Sequence, residues 1–128
     1  MTEDVQRKKI LVVDDDPGAV ALISKALEEK GFLVLKGSNG KEALDIIKQH
    51  LPDLIIIDRM MPKMDGIKAC AFLKADKRFY KIPVIMITAS AEKSDQELSK
   101  EVGVEVFLNK PLDINDLESK VKTLIGWA

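Results

Sequence analysis

The chain of 128 residues is long enough for one domain with a substantial hydrophobic core. Its 20 basic residues nearly balance its 21 acidic residues, so the overall charge does not indicate nucleic-acid binding. A single cysteine excludes an internal disulfide, and together with a single histidine it is too few for a zinc site. The first residues are polar and no apolar run reaches the ~18 residues that span a bilayer, so we expect a cytoplasmic protein without membrane segments.

Short apolar runs alternate with stretches of helical periodicity along the chain. Strands are predicted, in chain order, at residues 10–13, 32–35, 54–58, 84–87 and 104–108. A helix is predicted after each strand, at residues 17–30, 40–51, 67–74, 95–103 and 114–126. A polar residue that can cap the helix precedes four of them: Asp16, Asn39, Ser94 and Asp113. Five strands therefore alternate with five helices.

Short connections between alternating strands and helices imply right-handed crossovers and a mainly parallel sheet with helices on both faces. In such a sheet the carboxyl ends of all strands meet at one edge, where ligands bind. Charged or hydroxylated residues close four of the five predicted strands: Asp14, Asp15, Asp58, Thr88 and Lys110. Each alone is explained as a helix cap or a surface group, but their convergence on one edge predicts a functional site.

The three aspartates among these residues predict a cation-binding site. Carboxylates that are crowded together repel one another, and a bound cation relieves the repulsion. Oxygen ligands favour a hard ion, Mg²⁺ or Mn²⁺, which keeps waters and phosphate oxygens as further ligands. Lys110 adds a positive charge and Thr88 a hydroxyl group, so the set suits phosphoryl transfer to a carboxylate. Asp58 is the candidate acceptor because it lies in the middle of the set.

Four sequence blocks carry a resemblance to a known family. LVVDDDP, LIIIDRMMPKMDG, VIMITAS and FLNKP, in this order and spacing, resemble the receiver domain of two-component response regulators. The resemblance covers residues 9–125 and implies a CheY-like, flavodoxin-like α/β fold, with a five-stranded parallel sheet in the strand order 2-1-3-4-5. It also implies one receiver domain over residues 1–128, with no effector domain in this chain.

The resemblance implies a role for each residue of the predicted metal site. Asp58 is the implied phosphoacceptor and also contributes an oxygen to the metal. Asp15 is the implied direct Mg²⁺ ligand, Asp14 helps to hold the ion through water, and the backbone carbonyl of Met60 is a further ligand.

On the phosphoryl side, the resemblance implies that Lys110 pairs with the transferred group. Thr88 donates its hydroxyl to that group, and Ala89 donates its backbone N–H. Thr88 and Phe107 are the implied switch residues, since Thr88 moves inward on phosphorylation and Phe107 fills the space that it leaves. The Lys110–Pro111 peptide is expected to be cis, as in this family.

The implied function is phosphorylation-dependent signalling. A sensor histidine kinase or a histidine phosphotransferase supplies the phosphoryl group, and the modified domain binds a downstream protein, an effector domain or a second copy in a phosphorylation-linked homodimer. The domain catalyses its own phosphorylation and dephosphorylation and is not a turnover enzyme on external substrates. Met60 and Ser90 stand where this family tunes the lifetime of the phosphoryl group, and the apolar side chain of Met60 predicts slow hydrolysis.

Two alternatives follow from the same residues. A haloacid-dehalogenase-like phosphatase shares the DxD spacing of residues 14–16, a threonine at a strand end and a later lysine. However, Gly18 stands where that family has Thr or Val, and no acidic pair follows Lys110. A pseudo-receiver, which binds partners without being phosphorylated, is disfavoured because all five site positions are filled.

Overall fold

The computed structural model describes residues 7–89 and 93–126, apart from the side chain of Asp95, so Ser90 lies outside the described residues. The strands are β1 (Lys9–Val13), β2 (Leu33–Gly37), β3 (Leu54–Asp58), β4 (Val84–Thr88) and β5 (Val106–Asn109). The helices are α1 (Pro17–Glu29), α2 (Gly40–His50), α3 (Gly66–Ala75), α4 (Lys93–Glu101) and α5 (Ile114–Ile125). None of the helices in these ranges is long and apolar enough to cross a bilayer. The predicted alternation of strands and helices is confirmed.

The five strands form one parallel sheet in the order β2-β1-β3-β4-β5, as the resemblance implied. Successive side chains of a strand point to opposite faces of the sheet, and the core accordingly divides into two clusters. Leu11 and Ile57 pack with residues of α2 and α3 on one face. Val12 and Ile56 pack with residues of α1 and α5 on the other. Because both faces are covered, the inner strands are continuous apolar runs.

Two strands and one helix differ from the sequence prediction by two residues at an end, whereas the bounds of the other elements agree within one residue. β2 continues to Gly37, because Gly37 pairs with Val13 in the parallel ladder. β5 begins two residues later than predicted, because the backbone N–H of Val104 donates to the Ser99 carbonyl and still belongs to the end of α4. Ser94, the predicted N-cap of α4, lies inside that helix as its second residue.

The other three predicted N-caps are confirmed. The side chains of Asp16 and Asp113 each accept a hydrogen bond from the backbone N–H two residues later, at 2.9 Å. The side chain of Asn39 accepts one from the backbone N–H of Glu42, also at 2.9 Å. These bonds satisfy N–H groups that have no partner within the helix, so they fix where the helices leave the carboxyl edge of the sheet.

Ser24 of α1 carries a buried hydroxyl group. Its side chain is 1% exposed, and its Oγ has no hydrogen-bond partner among the described residues. Burying an unsatisfied hydroxyl costs free energy, and alanine also has the higher helix propensity. We therefore expect Ser24→Ala to raise the free energy of unfolding by about 1 kcal/mol, measured by urea denaturation.

Ser99→Ala is the matched control for this prediction. The Ser99 side chain is equally buried, but its hydroxyl donates to the sulfur of Met86 at 3.4 Å. We expect no gain of stability in this variant. The explanation is wrong if both variants gain stability or if neither does.

Candidate functional site

Asp58 is the last residue of β3, the central strand, and lies at the carboxyl edge of the sheet. It is 6% exposed. It pairs with Ile87 of β4, and the backbone N–H of Arg59 donates to the Ile87 carbonyl at 2.8 Å. The ladder therefore continues one residue beyond Asp58 and holds its backbone in place.

Asp14 and Asp15 follow β1 directly and lie beside Asp58, because β1 and β3 are neighbours. One carboxylate oxygen of each of the three residues lies within 4.8 Å of the others. Asp14 is buried and accepts a hydrogen bond from the backbone N–H of Asp16 at 3.0 Å, whereas Asp15 is exposed. Three hard oxygen donors with one side open to solvent fit Mg²⁺, which takes few carboxylates and keeps several waters.

Lys110 follows β5 and supplies positive charge to the site. Its Nζ lies 3.3 Å from Asp58 Oδ1 and 3.5 Å from Asp14 Oδ2. Its backbone N–H donates to the Thr88 carbonyl at 2.7 Å, and the Lys110–Pro111 peptide is cis. The side chain is one-third exposed, so the ammonium group touches both the carboxylates and solvent.

The pKa values of Asp58 and Lys110 are shifted by burial and by the neighbouring charged groups of the site. Burial raises the pKa of the Asp58 carboxyl above its usual value, and the charge of Asp14 raises it further, while Lys110 opposes the change. Burial alone would lower the pKa of Lys110, but the carboxylates of Asp58 and Asp14 outweigh burial and raise it. The raised pKa of Lys110 and the contribution of Asp14 to the pKa of Asp58 both reflect the negative charge at this edge of the sheet, which favours cations.

The remaining predicted site residues surround this charged group. Thr88 is the fully buried last residue of β4, and the exposed Ala89 follows it. Met60 lies two residues beyond β3 and is 65% exposed. Phe107 lies two residues before the end of β5, where it is half-buried and pairs with Met86 of β4. Phe107 thus packs against the core, whereas Thr88, Ala89 and Met60 lie at the carboxyl edge of the sheet.

A family model described as the response regulator receiver domain matches residues 10–122, which span all of these positions. The chain belongs to this family. The expected CheY-like receiver domain and its fold class are confirmed, and the match favours the receiver over the phosphatase alternative. Receiver domains are modules of two-component signalling that typically bind Mg²⁺, and response regulators accept phosphoryl groups from histidine kinases.

Relatives of two different lengths resemble this receiver domain. It is 39% identical to the alkaline phosphatase synthesis transcriptional regulatory protein PhoP of Bacillus subtilis, over 92% of this chain and 48% of PhoP. It is 33% identical to the polar-differentiation response regulator DivK of Brucella anthropi, over 94% of this chain and 98% of DivK. The chain therefore spans about half the length of PhoP and nearly all of DivK.

Solved structures share the fold of this receiver domain. The receiver domain of a signal transduction histidine kinase from Syntrophus aciditrophicus has a TM-score of 0.87 and 37% identity, over 92% of this chain and 89% of that one. The chemotaxis response regulator CheY4 of Vibrio cholerae has a TM-score of 0.87 and 26% identity, over 94% and 100% of the two chains. Both comparisons agree with the fold described above.

Gly66, the first residue of α3, positions Asp58 in this receiver domain, and the sequence analysis missed it. A side-chain carbon on Gly66 would lie 2.4 Å from the Asp58 carbonyl oxygen, far inside van der Waals contact. The Gly66 N–H donates to the Arg59 carbonyl at 3.0 Å. Glycine therefore allows the start of α3 to pack directly on the backbone of Asp58. The sequence signal was the Asp65–Gly66 pair, which is typical of a turn but does not reveal this contact.

Arg59 is a second residue that the sequence analysis missed. Its side chain is 15% exposed, and its Nη1 lies 3.4 Å from Asp65 Oδ2 and 3.5 Å from the sulfur of Met60. Asp65 also caps α3 by accepting the Lys68 N–H at 2.9 Å. Arg59 thus ties the loop between β3 and α3 to the start of the helix.

Proposed function

We propose that this receiver domain accepts a phosphoryl group on Asp58 and that the modification changes which partners it binds. The observation that carries the proposal is the contact of the Asp58 carboxylate with Lys110, 3.3 Å apart and beside two further aspartates. A carboxylate there is a nucleophile, and its surroundings can stabilise the negative charge of a phosphoryl group.

The donor is a phosphohistidine on a sensor histidine kinase or a histidine phosphotransferase. A carboxylate oxygen of Asp58 attacks the phosphorus atom while the phosphorus–nitrogen bond breaks, and the imidazole leaves with the electron pair and takes up a proton. Lys110 screens the charge of the phosphoryl oxygens, and the Thr88 hydroxyl and the Ala89 backbone N–H donate hydrogen bonds to them. The domain thus modifies itself, and catalysis depends mainly on position and charge.

Asp15, Asp58 and the backbone carbonyl of Met60 would hold Mg²⁺ or Mn²⁺ directly. Asp14 would hold the ion through a water molecule. When bound, the ion supplies positive charge that neutralises the carboxylates and the phosphoryl oxygens. The crowding of the three carboxylates within 4.8 Å supports this assignment.

The output of the domain is a change in binding. Phosphorylation draws the Thr88 hydroxyl toward the new group, and Phe107 turns into the space that Thr88 leaves. The half-buried position of Phe107 beside Met86 supports this role. The movement reshapes the face made by α4, β5 and α5. It shifts a two-state equilibrium toward the form that binds a downstream protein, an effector domain or a second phosphorylated copy.

Acetyl phosphate tests the proposal, because it donates a phosphoryl group without a kinase. With Mg²⁺ present, we expect one phosphoryl group per chain, located at Asp58 by intact-mass measurement and by mapping the borohydride-reduced peptide. Chelation of the metal should abolish the labelling. Continuous release of phosphate from a phosphate ester would instead identify a phosphatase, and a chain that never becomes labelled would be a pseudo-receiver.

Met60→Asn is expected to shorten the lifetime of the phosphoryl group. The thioether of Met60 cannot orient an attacking water by a strong hydrogen bond, whereas an amide can. We expect hydrolysis of the acyl phosphate to become about tenfold faster, followed by intact mass after removal of acetyl phosphate. Met60→Leu keeps the side chain apolar and should keep the slow rate. Equal rates in the three proteins would contradict this role of Met60.

A further inference from the structure

Met60 lies exposed beside the proposed phosphorylation site, and we propose that it is an oxidation site through which peroxide shortens the lifetime of the phosphoryl group. The inference rests on the proposed function, since it requires a phosphoryl group on Asp58. Two observations carry it: the unusual exposure of the Met60 side chain and the arginine that contacts its sulfur.

Exposure distinguishes Met60 from the other methionines in the described part of the chain. Met60 is 65% exposed, whereas Met86 is fully buried. Met61 and Met64 are partly buried and pack against the core cluster on the α2 and α3 side. A peroxide must reach the sulfur atom to oxidise it, so Met60 is the first of these four to react.

Cys70 carries the single thiol of the chain, a second kind of sulfur that peroxide attacks, and it is protected. It is 1% exposed on α3, and burial raises the pKa of its thiol to about 12. Since the thiolate is the reactive form, the thiol stays inert at neutral pH. Peroxide therefore acts on Met60 without competition from Cys70.

Arg59 provides a partner for the oxidised side chain. Its Nη1 lies 3.5 Å from the sulfur of Met60 and 3.4 Å from Asp65 Oδ2. A thioether is a weak hydrogen-bond acceptor, but a sulfoxide oxygen next to a guanidinium accepts a charge-assisted hydrogen bond. The oxidised form of Met60 thus finds a donor that is already in place.

The chemical step is a transfer of one oxygen atom. The sulfur attacks one oxygen of hydrogen peroxide, the O–O bond breaks, and after proton transfer the products are methionine sulfoxide and water. The sulfur is oxidised by two electrons and the peroxide is reduced by two. Methionine sulfoxide reductase reverses the change, so the modification is reversible.

Oxidation gives the side chain of residue 60 a strong hydrogen-bond acceptor, which the thioether of methionine lacks. A sulfoxide oxygen has two lone pairs, one for Arg59 and one for a water molecule near the phosphoryl group. We expect hydrolysis of the acyl phosphate to become about fivefold faster, the rate effect of one added hydrogen bond. Peroxide would then act as a second stimulus, besides the phosphodonor, and it would shorten the lifetime of the phosphoryl group on Asp58.

The test has two stages. The whole chain is treated with increasing hydrogen peroxide, and peptide mapping follows oxidation of residues 60, 61, 64 and 86. We expect Met60 to be oxidised at the lowest peroxide concentration. After removal of peroxide, the oxidised and untreated proteins are phosphorylated with acetyl phosphate and Mg²⁺, and their rates of dephosphorylation are compared. Met60→Leu should show no effect of peroxide, and treatment with the reductase should restore the slow rate of the unmodified chain.

The outcomes separate this inference from the proposed function. Oxidation of another methionine before Met60, or equal dephosphorylation rates before and after oxidation, overturns the inference and leaves the proposed function intact. Peroxide sensitivity that persists in Met60→Leu also overturns it. A chain that takes up no phosphoryl group in either state overturns both, although the order of methionine oxidation is still measured.

Discussion

Asp58→Asn is expected to reduce phosphorylation by acetyl phosphate to background. The amide has no nucleophilic carboxylate oxygen, so no acyl phosphate forms at residue 58. The substitution is nearly isosteric, and it removes one of three crowded negative charges, so the fold should be retained. Intact-mass measurement after incubation with acetyl phosphate and Mg²⁺ checks the loss of labelling, and thermal unfolding checks the fold.

Asp45→Asn serves as the matched control. Asp45 is an exposed aspartate on α2, away from the carboxyl edge of the sheet, and its replacement should leave labelling unchanged. If Asp58→Asn still accepts one phosphoryl group, the acceptor lies elsewhere, and the three aspartates at residues 14–16 become the candidates. The peptide map then shows which of them is modified.

Gly66→Ala is expected both to destabilise the domain and to slow phosphorylation at Asp58. The added carbon would lie 2.4 Å from the Asp58 carbonyl oxygen and 3.3 Å from the Cα of Arg59. These are backbone atoms of the ladder that holds Asp58, so they cannot move aside without shifting the strand end. We expect a loss of about 1–3 kcal/mol in the free energy of unfolding, the usual cost of overpacking. Urea denaturation measures it, and phosphorylation by acetyl phosphate should become slower.

Gly18→Ala is the control for this substitution, since Gly18 also lies in the first turn of a helix. The nearest atom to its added carbon is Asp16 Oδ1 at 3.3 Å, which belongs to a side chain that can adjust. We expect its stability to stay within about 0.5 kcal/mol of the wild type, with normal phosphorylation. If Gly66→Ala were equally stable and equally reactive, the start of α3 could move away from Asp58 without cost.

Much of the fold could be predicted because its signals are local. The apolar run that ends in Asp58 identified β3, and three of the four predicted N-caps were correct because a cap bonds to a backbone N–H only two or three residues away. Element ends were less predictable. Val104 looked like part of a strand, but its N–H bonds back to α4, and only the packed helix decides that.

The carboxylates and the lysine of the candidate site were also predictable, because parallel strands bring their carboxyl ends to one edge of the sheet. Asp14, Asp15, Asp58 and Lys110 could therefore be grouped before any distance was known, and their spacing in the structure agrees. The roles assigned to Thr88, Ala89, Phe107 and the carbonyl of Met60 came from the resemblance, and they remain predictions that phosphorylation experiments address.

The sequence by itself determined the type and order of the elements, the family and the charged residues at the strand ends. Tertiary structure alone decided that Gly66 must lack a side chain, that Arg59 lies between Asp65 and Met60, and that the hydroxyl of Ser24 is buried without a partner among the described residues. The physical reason is the range over which each interaction acts along the chain. Periodicity and capping act within a few residues, whereas these contacts depend on distances of a few ångströms between packed segments, which no local pattern specifies.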